Sequence, residues 1–179
     1  MKPPIRGRTE PQGGFLRRLD SLFRAAFPTL VTILLLVLAV VPMGGPGLLM
    51  AVALPSIFFW TIFRPAAMPA PAVFGLGLLH DLLALAPLGV GILVLLVAHG
   101  VALRLRDFLV RQSFLVVWMM FCAFAAGSAL LSWLLTALLS LQLPPVVPGL
   151  HQAAVCAGVY PLLSWLLTRA HRAMQVAEA

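Results

Sequence analysis

Charge is what this sequence has least of. Of its 179 residues only 9% are Asp, Glu, Lys or Arg, and five are acids. An ordinary soluble domain carries roughly 25%. So few acids leave little material for acid–base chemistry, and no nucleophile–base–acid set can be assembled. Two cysteines, Cys122 and Cys156, both fall inside apolar runs. They read as buried packing residues, not as a disulfide or a redox pair. The histidines are scattered at positions 80, 99, 151 and 171, without metal-ligand spacing. There is no glycine-rich phosphate loop. These absences argue against an enzyme and against a bound cofactor or metal.

What the chain does have is apolar length. It is 62% hydrophobic, with a mean hydropathy of +1.07. That composition belongs to an integral membrane protein. The net charge of +7 is spread in small groups between apolar runs. This reads as topology signal and contact with membrane lipid, not as binding of nucleic acid.

Three regions follow. Residues 1–27 form a basic cytoplasmic tail. Within it Phe15, Leu19, Leu22, Phe23 and Ala26 recur at helical spacing, opposite Arg17, Arg18, Asp20 and Arg24. That pattern predicts an amphipathic helix lying in the membrane interface. Residues 28–168 form the membrane domain, and residues 169–179 a second basic tail. Six apolar segments are expected, at about Pro28–Val41, Leu48–Phe63, Ala72–Ala86, Leu88–Leu103, Phe114–Leu141 and Leu150–Thr168. Pro55 and Pro161 are candidate kinks. With the N-terminus inside and six crossings, all twelve basic residues fall on the cytoplasmic side, and both termini are cytoplasmic. The expected fold is therefore all-α, with six transmembrane helices. The third segment is short, about 22 Å against a hydrocarbon core of roughly 30 Å. Two short crossings or one re-entrant hairpin fit residues 65–103 equally well.

Asp81 is the only acid between Pro65 and Leu103. A charged side chain at the centre of a membrane helix costs roughly 2.5–3.5 kcal/mol, and each apolar neighbour returns roughly 0.3–0.6 kcal/mol. Insertion is feasible, but the carboxyl needs a partner, a proton or water. Gly77 and Ala84 share its helix face and would let another backbone approach closely. Pro87 and Gly89 are expected to end the helix. His80 lies about 100° away around the helix, a poor geometry for a shared chelate. His99 and His151 fall at different depths. On the fifth segment Ser128, Ser132, Thr136 and Ser140 recur every fourth residue, a small hydroxylated stripe suited to close helix packing. Ala154 and Gly158 suggest the same on the sixth.

The run Gly77-x3-Asp81-Leu82-Leu83-x3-Pro87-Leu88-Gly89 resembles the MreD family of small membrane proteins in the rod-shape machinery of bacterial cell-wall elongation. A Gly, an Asp-Leu-Leu and a Pro-Leu-Gly recur there in this order. Ala84-Leu85 stands here where that family often has Ser-Gly. The likeness is best over residues 74–91 and looser over the rest. It implies a non-catalytic scaffold in the bacterial inner membrane, required for cell shape and peptidoglycan synthesis. Its implied partners are an MreC-like periplasmic subunit, an MreB-like filament and a cell-wall glycosyltransferase/transpeptidase pair. Gly77, Asp81, Pro87 and Gly89 would shape the partner-binding surface. The family is also similar in fold to the substrate-binding subunits of vitamin transporters. The alternative reading is thus a small-molecule transporter subunit. It would require several polar groups to converge on one pocket.

Overall fold

The computed structural model describes the backbone of residues 14–43, 46–85 and 87–176, and the side chains of residues 26–40, 47–85 and 87–169. Among the described residues the chain is all-helical: six α-helices, one 3-10 turn and no strand. The helices are α1 (Gly14–Met43), α2 (Pro46–Phe63), α3 (Ala70–Ala84), α4 (Val90–Leu109), α5 (Phe114–Ser140) and α6 (Val147–Val176).

Helix α2 is the axis of the molecule. Every residue from Leu49 to Ile62 is buried, whichever way it points. A helix apolar all round is one surrounded by others, and α1, α3, α4, α5 and α6 all pack on it. Its two buried hydroxyls are satisfied. Ser56 Oγ donates to the Val52 carbonyl at 2.7 Å, and Thr61 Oγ1 lies 2.8 Å from His99 Nδ1 on α4. Aromatic packing ties α2 to α5 and α6. The Phe58 ring meets Phe121 at 5.2 Å and Tyr160 at 6.0 Å, and Tyr160 stacks on Phe121 at 4.2 Å.

The outer helices bury one stripe each, as 3.6-residue periodicity requires. Among the described side chains of α1 the buried residues are Pro28, Thr32, Leu36 and Ala39. Among the described residues of α6 they are Cys156, Tyr160, Leu163, Ser164 and Leu167. That register turns Ala154 and Gly158, expected on the packing face of α6, to the exposed side. The interfacial helix and first crossing, expected to part at Pro28, form one continuous α1. A proline costs a helix one N–H donor but can be carried within it. The side chains expected to make residues 15–25 amphipathic lie outside the described set, and the 1–13 tail lies wholly outside it. Both Pro55 and Pro161 sit within unbroken helices.

Among the described residues two helices, Phe114–Ser140 and Val147–Arg169, are long and apolar enough to cross a membrane. In each, only 28% of the most apolar window is buried. Leucines such as Leu115, Leu130, Leu134, Leu138, Leu150 and Leu162 point outward, an apolar surface that water does not favour. Shorter apolar helices run Ala26–Val40, Gly47–Phe63 and Ala70–Ala84.

Successive helices alternate in direction. Arg106 Nε donates to the Ile62 carbonyl at 3.0 Å, bringing the last turns of α2 and α4 together. The start of α5 (Phe114) and the last part of α6 (Trp165, Arg169) border the same cavity as Phe63 and Leu109. Phe27 on α1 meets Trp60 at 6.5 Å. At the opposite end Met50, Asp81, Gly91, Thr136 and Gln152 border another cavity. One end of the bundle therefore carries Arg64, Arg104, Arg106, Arg111 and Arg169. Among the described residues the loops at the other end have no charged residue.

Candidate functional site: the Asp81 hairpin

Helix α3 ends because Leu85 turns left-handed, at φ 50°, with its N–H bonded to the Asp81 carbonyl. This is a helix terminus of the kind usually closed by glycine. Here it falls on the leucine that stands where the resembling family often has Gly. Gly89 then adopts φ 103° and leads into α4. A β-carbon strains that conformation, which makes glycine the natural residue there. The Val90 N–H bonds to the Pro87 carbonyl at 3.3 Å, so Pro87 and Gly89 together build the turn. The helix ends slightly earlier and α4 begins slightly later than the periodicity suggested.

This turn aims the first N–H groups of α4 back at α3. Asp81, only 1% exposed, receives them. Gly89 N–H donates to Oδ2 at 2.9 Å, Gly91 N–H to Oδ1 at 2.9 Å and Ile92 N–H to Oδ2 at 3.4 Å. A helix begins with four N–H groups that have no partner in the helix, and its N-terminus carries partial positive charge. One carboxyl answers both needs. The close backbone expected beside Asp81 is thus supplied by the next helix of the same chain.

Two glycines make the approach possible. A β-carbon on Gly91 would lie 2.1 Å from Asp81 Oδ1 and 2.6 Å from His80 Nδ1. One on Gly77 would lie 2.6 Å from the Ile92 α-carbon. Gly75 meets nothing within 4 Å. Gly77 and Gly91 are therefore close-packing positions, whereas Gly75 is open.

His80 is nearer to Asp81 than the helical wheel suggested. Its Nδ1 lies 3.2 Å from Asp81 Oδ1, and the residue is 5% exposed. Neighbours on a helix diverge at Cβ, yet the imidazole is long enough to turn back. His99 is buried against Thr61 on α4's inner face, while His151 is exposed at the start of α6. Among the described residues no group of three or more His, Cys, Asp or Glu could hold a metal ion.

The hydroxyl stripe on α5 divides. Ser128 donates to the Ala125 carbonyl and Ser140 to the Thr136 carbonyl, bonds within or beside their own helix. Ser128 is buried and Ser140 exposed. Ser132 and Thr136 instead line a cavity of about 140 Å³ with His80, Asp81 and Gln152. Sequence reasoning missed Gln152; a polar residue one turn into an apolar helix was the available signal. Searches against protein-family models, characterised proteins and solved structures return no match to this chain.

Proposed function

We propose that this chain is a non-catalytic scaffold of the bacterial inner membrane, of the MreD type. Its six helices would cross the membrane in alternation, with both termini in the cytoplasm. It would hold an MreC-like periplasmic subunit and help connect an MreB-like filament to cell-wall synthases. One observation carries the reading. The residues of the resemblance, Gly77, Asp81 and Gly89, are used here for architecture. Both Asp81 oxygens accept backbone N–H groups, so the rarest side chain in the apolar field fixes a helical hairpin. Such a hairpin presents a rigid surface to a partner. Its tip is apolar and open, with Leu85 92% exposed and Leu88 65% exposed. The alternation of a basic end with an uncharged one agrees with basic loops held inside.

A second reading, a solute-binding transporter subunit, has one observation on its side. His80, Asp81, Ser132, Thr136 and Gln152, scattered in sequence, border one cavity. Pull-down of the tagged chain from its native membrane in mild detergent, with mass spectrometry of the co-purifying proteins, separates the two. The scaffold reading expects an MreC-like protein and cell-wall synthases. A transport ATPase pair in their place would overturn it.

A further inference from the structure

The cavity at the basic end of the bundle joins an apolar wall to a cation at its rim. It lies between α2, the last turn of α4, the start of α5 and the last turns of α6, and holds about 730 Å³. Phe59, Phe63, Leu109, Val117 and Trp165 supply the apolar wall. Arg169, exposed at the rim, has its guanidinium carbon 4.6 Å from the centroid of the Trp165 ring. No hydrogen bond or ion pair with another residue takes its N–H groups. Asp81 and Asp107, the acids whose side chains are described, do not border the cavity. Phe114, the first residue of α5, lies on the same wall, and Ser113 before it makes no side-chain cap bond. The partial positive charge of that helix start adds to the charge of Arg169.

One polar atom lies just inside the rim. The Tyr160 ring is stacked between Phe114, at 6.4 Å, and Phe121, at 4.2 Å. The residue is 2% exposed, and its hydroxyl has no hydrogen-bond partner in the protein. His80 Nε2 and Ser132 Oγ are sealed; the Tyr160 hydroxyl is not, and the cavity is what it borders. A buried hydroxyl without a partner needs one from elsewhere.

We propose that this cavity binds an anionic phospholipid, with Arg169 on the phosphate and the Tyr160 hydroxyl donating to an ester oxygen. A guanidinium fits phosphate oxygens with paired N–H groups. Alkyl chains match the wall below, which offers a free phosphate nothing. A choline headgroup brings a second cation to a rim with no acid to receive it, so the net-anionic lipid is preferred. The inference rests on the part of the reading above that lays the chain across a bilayer, and not on any protein partner.

The test uses the full chain in phosphatidylcholine nanodiscs doped with a lipid that carries a photoactivatable diazirine on one acyl chain. The doped lipid is phosphatidylglycerol or phosphatidylcholine with the same chains, and crosslinked peptides are read by mass spectrometry. Leu130, Leu134 and Leu138, on the outward face of α5, report plain contact with the bilayer and serve as the reference. Against that reference, phosphatidylglycerol should label residues 109–117 and 160–169 about fivefold more than phosphatidylcholine does, the order expected of a charge-assisted hydrogen bond at a rim open to water. Arg169→Gln should abolish the preference. Arg104→Gln, which removes the same charge from an exposed position off the cavity wall, should keep it. Tyr160→Phe, which retains the stacked ring, should lower labelling by both lipids. Inorganic phosphate at constant ionic strength should displace neither. Equal labelling by the two lipids, a preference that survives Arg169→Gln or disappears with Arg104→Gln, unchanged labelling with Tyr160→Phe, or displacement by phosphate would each overturn the proposal. Reference peptides without crosslinks would overturn the membrane reading, and the proposal with it.

Discussion

Asp81→Ala is expected to destabilise the protein by about 3 kcal/mol, since each buried donor left without a partner costs about 1–3 kcal/mol. The substitution strands the N–H groups of Gly89, Gly91 and Ile92 at the start of α4. Gly89 lies half-buried and recovers part of its loss from water. Asp81→Asn is not a rescue, because its amide nitrogen would set a donor against a donor. Gly91→Ala should reproduce most of the loss by displacing the same carboxyl, whose Oδ1 lies 2.1 Å from the new methyl position. Because both substitutions break one lock, the double variant should lose much less than the sum of the singles. Asp107, exposed on the last turns of α4, supplies the comparison: Asp107→Ala should stay within about 0.5 kcal/mol. Unfolding in mixed detergent reads all four. Equal stabilities for the Asp81→Ala and Asp107→Ala variants would mean that the hairpin is held by something else.

Gly77→Ala is the second large effect, at about 2–3 kcal/mol, the usual range for forcing extra atoms into a packed contact. Its methyl would meet the backbone of α4, with the Ile92 α-carbon 2.6 Å away. A side chain could rotate aside; a helix backbone can only separate. The contrast lies one half-turn away. Gly75 is exposed with nothing near its missing Cβ, so Gly75→Ala should gain about 0.5–1 kcal/mol from helix propensity. Thermal midpoints of the two variants should therefore move in opposite directions. Movement in the same direction would remove the claim that α3 and α4 touch through Gly77.

Much of this architecture was legible in the residues. Apolar runs marked the helices, and the Pro87–Gly89 stretch marked the break between α3 and α4. Isolation of Asp81 in an apolar field showed that it needed a partner, and Gly77 showed that a backbone could come near. The identity of that backbone was not legible. Its N–H groups belong to residues 89, 91 and 92, and backbone donors leave no trace in side-chain patterns. The His80 contact was hidden because a helical wheel positions Cβ atoms, not the tip of an imidazole. The continuity of α1 through Pro28 turned on one lost donor weighed against a long apolar run. Ala154 and Gly158 were small enough to pack, but smallness says nothing about register. The register followed Tyr160, whose ring fills the space between α2 and α5. The cavity beside Asp81 lay furthest from view, since its wall is drawn from α2, α3, α4, α5 and α6 and exists only once they meet.

The scaffold proposal depends on the two ends of the bundle facing opposite sides of a membrane. Single thiols report this directly. In the Cys122→Ala background, Leu88→Cys and Leu143→Cys mark the uncharged end, and Gln112→Cys marks the basic end. Intact spheroplasts are treated with a membrane-impermeant maleimide, before and after lysis. The account predicts that Leu88→Cys and Leu143→Cys react in intact cells, while Gln112→Cys reacts only after lysis. Labelling of Gln112→Cys in intact cells would contradict it, and so would Leu88→Cys that reacts only after lysis, which would return the Asp81 hairpin to the cytoplasmic side.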